Sequence, residues 1–524
     1  MKPDDIYDLA IIGGGINGTG IARDAAGRGL KVLLAESHDL ASATSSASSK
    51  LIHGGLRYLE YREFRLVSEA LAEREILLSI APHIVWPLEF VLPHERHLRP
   101  AWMIRAGLFL YDHLGARPFG LRARRSSLPK SRGVRLAGDG YGAGLKPDFR
   151  QGFVYFDCWV DDARLVVLNA RSAAQHGATI LTRARCTGAR RENGIWVVSL
   201  QAGDDYGATR TGATRQVAAR ALVNATGPWV KSLLERELKL ASPGKVRLVK
   251  GSHIVIRRIH DKRHACILQN PDRRIVFLIP YEREFTLVGT TDVPQSQVEL
   301  RPEISAAEIA YLCEAASRYT ARPVTPEAVR WSYSGVRPLY DDGSTDPSAV
   351  TRDYHLMLDT GGTAAGDEPN CAPLVSVFGG KITTYRRLAE QVLERLSPWF
   401  AHSRSWTHTE ALPGGAFGDA DFDALLAHYE HRHPGLPAKW LARLLRRHGM
   451  LATEILAGVR AEDDLGENFG GGLYEAELRY LVANEWAREA ADVLWRRTKC
   501  GLHMSEAQRA RVAQFMRGGM GEAG

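Results

Sequence analysis

The first forty residues alternate between apolar and polar blocks in a way that specifies a strand, a helix and a second strand. Residues 7–12 (Tyr-Asp-Leu-Ala-Ile-Ile) are largely aliphatic and read as a buried strand. Residues 17–28 carry helix formers, and Gly29 fits a helix stop. Lys31 to Ala35 is a second strand, and Glu36 follows it. This is a βαβ unit near the usual length of about 30 residues. Residues 63–80 show helical periodicity with alternating charges. Residues 185–200 and 221–224 have strand character. His253–Ile256, Ile275–Ile279 and Phe285–Val288 follow as short β-rich runs separated by turn residues, the pattern of an antiparallel sheet.

Beyond about residue 400 the pattern changes. Residues 421–517 are mostly helix-periodic, and Leu478, Leu481, Val482, Trp486, Ala490, Val493 and Leu494 trace one apolar stripe. Ser505-x-x-Gln508 forms a capping box for a last helix. Pro413 to Gly418 reads as a linker. There is no internal repeat.

Composition narrows this picture. The chain has 524 residues, 45% hydrophobic and 24% charged, which predicts a globular protein rather than a disordered one. Two to four domains are expected at about 150 residues each. A net charge of +8 is modest at this length, and permits an anionic substrate, an anionic membrane or nucleic acid without selecting one. The cysteines at 158, 186, 266, 313, 371 and 500 form no C-x-x-C pair. No Cys/His cluster has zinc spacing, so no metal is expected and the thiols read as reduced and buried. The N-terminus lacks a signal-peptide pattern and no apolar run spans a bilayer, which predicts a soluble or peripheral protein.

The chemistry begins at Gly13-x-Gly15-x-x-Gly18, which directly follows a strand and opens a helix. Gly13 permits the tight turn, Gly15 lets the backbone approach a pyrophosphate, and Gly18 permits close helix–strand packing. The helix N-terminus adds free N–H groups and partial positive charge. Glu36, 18 residues past Gly18, stands where an acid bonds a ribose hydroxyl and would repel a 2′-phosphate, which argues against NADP. Leu222-Val223-Asn224-Ala225-Thr226-Gly227-Pro228-Trp229 is a strand ending in a small-residue turn. A site assembled from such distant segments suits FAD better than NAD.

These residues, with six further runs, resemble the FAD-dependent (respiratory) glycerol-3-phosphate dehydrogenases among the D-amino-acid-oxidase-like flavoproteins. The match runs through Ile11–Gly18, Ser45–Leu59, Asp157–Arg164, Lys250–His253, Gly289–Asp292, Ser334–Leu339 and Phe378–Arg386, and covers nearly the whole chain. The fold class implied is α/β. A discontinuous Rossmann-like FAD-binding domain (1–85, 150–245, 345–400) carries an antiparallel-sheet substrate cap (86–149, 246–344) and an all-α C-terminal domain (401–524). The resemblance implies oxidation of sn-glycerol 3-phosphate to dihydroxyacetone phosphate, with electrons passed from FAD to a membrane quinone (ubiquinone or menaquinone).

By position, the substrate-pocket residues fall on His53, Arg57, Tyr58, His253, Arg274, Arg337, Arg352, Lys381 and Thr383. Cofactor contacts fall on Gly13, Gly15, Gly18, Glu36, Ser45, Ser48, Ser49, Gly54, Gly55, Thr226, Gly227, Gly380, Lys381 and Thr383. A homodimer is expected. Residues 116–146 are longer and more basic than the family pattern, and 359–371 form an expanded loop.

A phosphomonoester needs fixed cations, and guanidinium forks suit its oxygens, so Arg57, Arg274 and Arg337 are the candidates. Oxidising an alcohol also moves a proton to a base. His53 or His253 could accept it, and Arg337 or Lys381 could stabilise the developing alkoxide. Sequence leaves these roles unseparated.

Residues 96–135 hold ten basic side chains and one acid, Asp112, interleaved with Trp102, Met103, Phe109, Leu110, Tyr111 and Phe119. That mixture suits the headgroup layer of an anionic bilayer, or a cap helix with an ordinary core face. The expectation is a cytoplasmic protein held peripherally on the inner face of the cell membrane. Nucleic acid is not expected, because no binding module appears. The rival readings are a glycerol-3-phosphate oxidase using oxygen, a flavoprotein acting on a 2-hydroxy acid or amine, and a non-catalytic membrane-bound flavoprotein sensor.

Overall fold

A computed structural model describes residues 6–95, 100–114, 127–137, 140–203, 214–242, 246–272, 274–340, 353–361, 371–401, 404–418 and 421–518. Two large sheets organise these residues. In the first, Ile6–Ile12 lies between Val32–Ala35 and Thr214–Asn224, all parallel, and Leu374–Phe378 continues the parallel order beyond Asn224. Its central strands are buried on both faces, which is why they read as unbroken aliphatic runs. Helices Ile16–Gly27, Asp162–Gln175 and Tyr385–Leu396 cover it. The glycine turn leaves the C-terminal end of the first strand beside Ala225, where open α/β sheets bind ligands.

The second sheet has ten strands and is mostly antiparallel. Val246–Arg257 pairs along most of its length with Val329–Tyr340, so His253 faces Tyr333 and Val249 faces Arg337. Gln151–Val160 pairs with Val85–Pro93 in this sheet. The expected domain bounds place residues 150–160 with the FAD-binding part, and by strand pairing they lie in this sheet. The 185–200 stretch is a hairpin, Ala184–Glu192 with Ile195–Ala202, turning at Asn193-Gly194, both in the left-handed region. Ala265–Gln269 is a further strand that the pattern did not reveal.

Helices dominate beyond residue 421. The apolar stripe at 478–494 belongs to two pieces: the helix Glu475–Asn484 ends, Trp486 turns left-handed, and a wide helical turn spans Asp492–Arg497. Ser505 and Gln508 exchange the two hydrogen bonds of the expected capping box. Residues 412–415 are packed rather than loose, with the Leu412 N–H donating to Ile80 and the Met450 N–H to Gly414. The C-terminal region is clamped by buried ion pairs, Arg164 with Glu485, Arg497 with Asp39 and Lys499 with Asp161.

Helix Ala101–Leu114 buries Leu108 and Tyr111 and leaves Trp102 and Phe109 exposed, at 70% and 59%. Among the described residues no helix is long and apolar enough to cross a membrane.

Candidate active site

The glycine turn and the Ser42–Ser49 loop build one wall of a cleft. Gly13 has φ +114°, and a Cβ there would stand 2.5 Å from the Ala225 carbonyl oxygen. Only glycine fits such a crossing. Glu36 pins the turn from the next strand: its carboxylate accepts from the Gly14 N–H at 2.6 Å and the His38 N–H at 2.8 Å. Ser45 Oγ accepts from the Ile16 N–H at the helix start, at 3.0 Å.

A cavity of about 410 Å³ follows, lined by Gly13, Gly15, Glu36, Ser45, Thr226, Gly227 and Gly380 among others. A second, of about 220 Å³, shares Ser42–Thr44, Pro228, Trp229 and Leu300 with it and reaches Tyr333 and Gly335. The chamber is therefore elongated. Inside it, Asn17 Oδ1 is buried without a hydrogen-bond partner beside the helix N-terminus. Free polar atoms, glycine backbone and an acid at the second strand fit a dinucleotide.

The same loop reaches the second sheet at its far end. Thr44 Oγ1 donates to the Val336 carbonyl at 2.7 Å, and Tyr333 Oη donates to the Ser48 carbonyl at 2.8 Å. Ser49 Oγ lies 2.9 Å from His253 Nε2. His253 is buried and stacks on Tyr333 with ring centres 4.8 Å apart. Its Nδ1 has no partner. Burial holds its pKa well below the ordinary value, with Lys50 and Arg337 adding to the shift, so the ring is neutral. Arg337 donates to the Thr291 carbonyl at 2.8 Å and pairs with Asp292 at 2.7 Å.

Lys381 Nζ sits 4.0 Å from the centre of the Tyr58 ring, joining two expected pocket residues from segments over 300 positions apart. Thr383 is buried two residues on. His53 is half-buried just after the strand Leu51–Ile52. Gly54 donates its N–H to Tyr111 Oη at 2.8 Å, and a Cβ on Gly55, which has φ +77°, would run into the Tyr58 ring. Arg57 lies in the turn Leu56–Leu59.

Not every candidate joins this group. Arg274 meets Asp272 and stands over the Tyr311 ring, with its side chain 44% exposed. Ser48 gives its hydroxyl to Asp162 at 2.7 Å, a structural bond rather than a free donor. Arg352 falls outside the described residues, as do Arg96, Arg99, Arg117, Phe119, Arg122, Arg124 and Arg125 of the basic stretch.

Sequence reasoning gave no role to Lys50, which is buried, bonded to Asp162 at 2.8 Å and poised over Tyr333 at 4.9 Å. Burial lowers its pKa and Asp162 opposes that fall. A lone lysine in a serine-rich loop was the available signal.

Comparisons with known proteins give the family and the fold. Residues 8–386 match the family model of FAD-dependent oxidoreductases, and 405–521 match the C-terminal domain of alpha-glycerophosphate oxidase. A glycerol-3-phosphate dehydrogenase of Pseudomonas aeruginosa is 52% identical over 98% of this chain and 95% of its own length. A D-erythritol 1-phosphate dehydrogenase of Brucella abortus is 49% identical over 98% of both. The structure of a Bacillus halodurans glycerol-3-phosphate dehydrogenase complexed with FAD has the same fold, with a TM-score of 0.71 at 24% identity over 98% of this chain and 94% of that one. The chain belongs to the FAD-dependent glycerol-3-phosphate dehydrogenase family of oxidoreductases, and FAD is its cofactor.

Proposed function

We propose that this protein oxidises sn-glycerol 3-phosphate to dihydroxyacetone phosphate and hands the electrons to a membrane quinone. One observation carries the reading: the loop Ser42–Ser49 touches the dinucleotide turn through Ser45 and the His253–Tyr333 strand pair through Thr44, Ser48 and Ser49. Cofactor and substrate groups therefore share one rigid wall. Bound FAD supplies a hydride acceptor. The chain's residues do the rest. His253, neutral and with a free Nδ1, accepts the hydroxyl proton. Lys381, over the Tyr58 ring, brings positive charge suited to an anionic substrate, and Arg337, paired with Asp292, adds guanidinium N–H groups for an oxygen gaining charge as its proton leaves.

The Brucella relative favours a second reading, a polyol phosphate one hydroxymethylene longer. An added group in a pocket changes binding by only about 1–3 kcal/mol. Anaerobic bleaching of the flavin by each phosphate separates the two. Higher kcat/KM for glycerol 3-phosphate supports the proposal, and preference for erythritol 1-phosphate overturns it. Reoxidation of the bleached protein by quinone rather than oxygen tests the acceptor.

The membrane reading rests on Trp102, Met103, Phe109 and Leu110. These large apolar groups stand exposed on one helix, with Arg105 among them and Lys130, Arg132 and Arg135 in the following segment. A protein held on the inner face of the cell membrane would meet its quinone there, and homodimers are expected.

A further inference from the structure

We propose that His260, His264 and Cys266 bind one thiophilic divalent d-block cation, with Zn²⁺ as the test ion. Cys266 lies on the other side of the sheet from His253. His253 and Val255 share the face that carries Tyr333, whereas Cys266 packs with Ile254, Ile256 and Leu268 on the opposite face. The loop after Val246–Arg257 supplies both histidines, and Ala265–Gln269 supplies the thiol.

The ligand atoms of the three residues all lie within 4.8 Å of one another. Tetrahedral zinc, with Zn–N about 2.0–2.1 Å and Zn–S about 2.3 Å, sets its donors about 3.3–3.6 Å apart. Small rotations about the side-chain bonds close that gap. The two rings already stack, with centres 4.6 Å apart and planes 24° from parallel.

An observation beyond the clustering points to a ligand. His260 Nδ1 and His264 Nε2 are buried atoms with no hydrogen-bond partner. Leaving such atoms unpaired costs about 1–3 kcal/mol each, and a cation would satisfy both.

The loop is held for the purpose. Arg258 donates to the carbonyls of His260, Asp261 and Lys262 at 2.6, 2.8 and 2.9 Å, and to that of Arg283 at 2.9 Å. Its guanidinium is spent on backbone rather than aimed at the cluster. His260 is only half-buried, so an ion can enter beside it and keep a water as fourth ligand. Two imidazoles and a thiol select zinc-like ions over magnesium or calcium, which take oxygen donors. On binding, the sulfur–metal bond forms as the S–H bond breaks, and the thiol proton goes to solvent.

The test uses the FAD-loaded protein, stripped with a chelator and dialysed against Zn²⁺. One ion per chain is expected, with X-ray absorption showing one sulfur and two imidazoles around it. Cys266→Ser, His264→Ala and His260→Ala should each weaken binding at least about tenfold and leave glycerol 3-phosphate bleaching unchanged. Zinc uptake no greater than that of the triple variant overturns the proposal, as does bound zinc without sulfur. X-ray absorption on the unaltered protein decides the matter even where a variant fails to fold.

Discussion

Ser49 Oγ lies 2.9 Å from His253 Nε2, so a serine of the cofactor-side loop orients a histidine of the substrate-side sheet. With Nε2–H donating to Ser49 Oγ, the neutral ring keeps Nδ1 as the nitrogen free to take a proton. His253→Asn should lower the anaerobic rate of flavin reduction by about 10²–10⁴-fold, the usual worth of a positioned base. Ser49→Ala should lower it less, and both variants should keep FAD. A His253→Asn rate near that of the unaltered protein would assign the proton to another group, His53 first.

Lys50 and Asp162 form a fully buried pair. Removing one partner leaves a charge without compensation, so Asp162→Asn should destabilise the fold by about 3–5 kcal/mol in denaturant titrations. Replacing both residues by apolar ones of similar volume should recover much of that loss. An unchanged midpoint for Asp162→Asn would show that the pair carries no such strain.

Asp39 accepts from both Arg496 and Arg497 and lies three residues past Glu36. Burial opposes its charge, yet the two arginines hold its pKa below the usual carboxylate range. Asp39→Asn should lower stability by a similar few kcal/mol and weaken FAD retention, because the segment after Glu36 loses its anchor to the C-terminal helices. Flavin release on gel filtration measures the second effect.

His83 is buried with neither ring nitrogen hydrogen-bonded. Burial holds its pKa well below the ordinary value, and Arg164 and His448 push the same way. The unfolded chain therefore binds a proton near pH 6.5 that the folded chain refuses. Stability is full above that pH and falls as pH drops through it toward the folded value. The thermal midpoint should fall from about pH 7.5 to about pH 5.5, and His83→Leu should make that fall shallower. An equally steep fall in the variant would place the titration on other groups, such as the buried His253 and His448.

Trp102 and Phe109 offer the largest exposed apolar side chains of helix Ala101–Leu114. Trp102→Ser with Phe109→Ser should lower binding to anionic vesicles by at least about tenfold in flotation assays, since burying each side chain is worth about 1.5–3 kcal/mol. Added salt should weaken what remains. Vesicle binding equal to that of the unaltered protein would mean that the membrane contacts another face.

The amino-acid sequence by itself determined the features whose causes are local. The turn Gly13–Gly18 needs glycine because the backbone crosses Ala225 at van der Waals range, and that demand is written in three residues. The capping box at Ser505 and Gln508 is equally local. Family resemblance carried the pocket as positions, including Tyr58 and Lys381, without their contact. Tertiary structure decided what depends on residues far apart in the chain. It set Ser49 against His253, tied Ser48 to Asp162, turned Arg274 toward Asp272 and Tyr311, and gathered His260, His264 and Cys266, whose spacing matches no familiar zinc motif. It also decided that Gln151–Val160 joins the second sheet. Strand pairing and buried charge compensation are long-range events, and side-chain pattern along a chain says which residues must be buried but not against which partner.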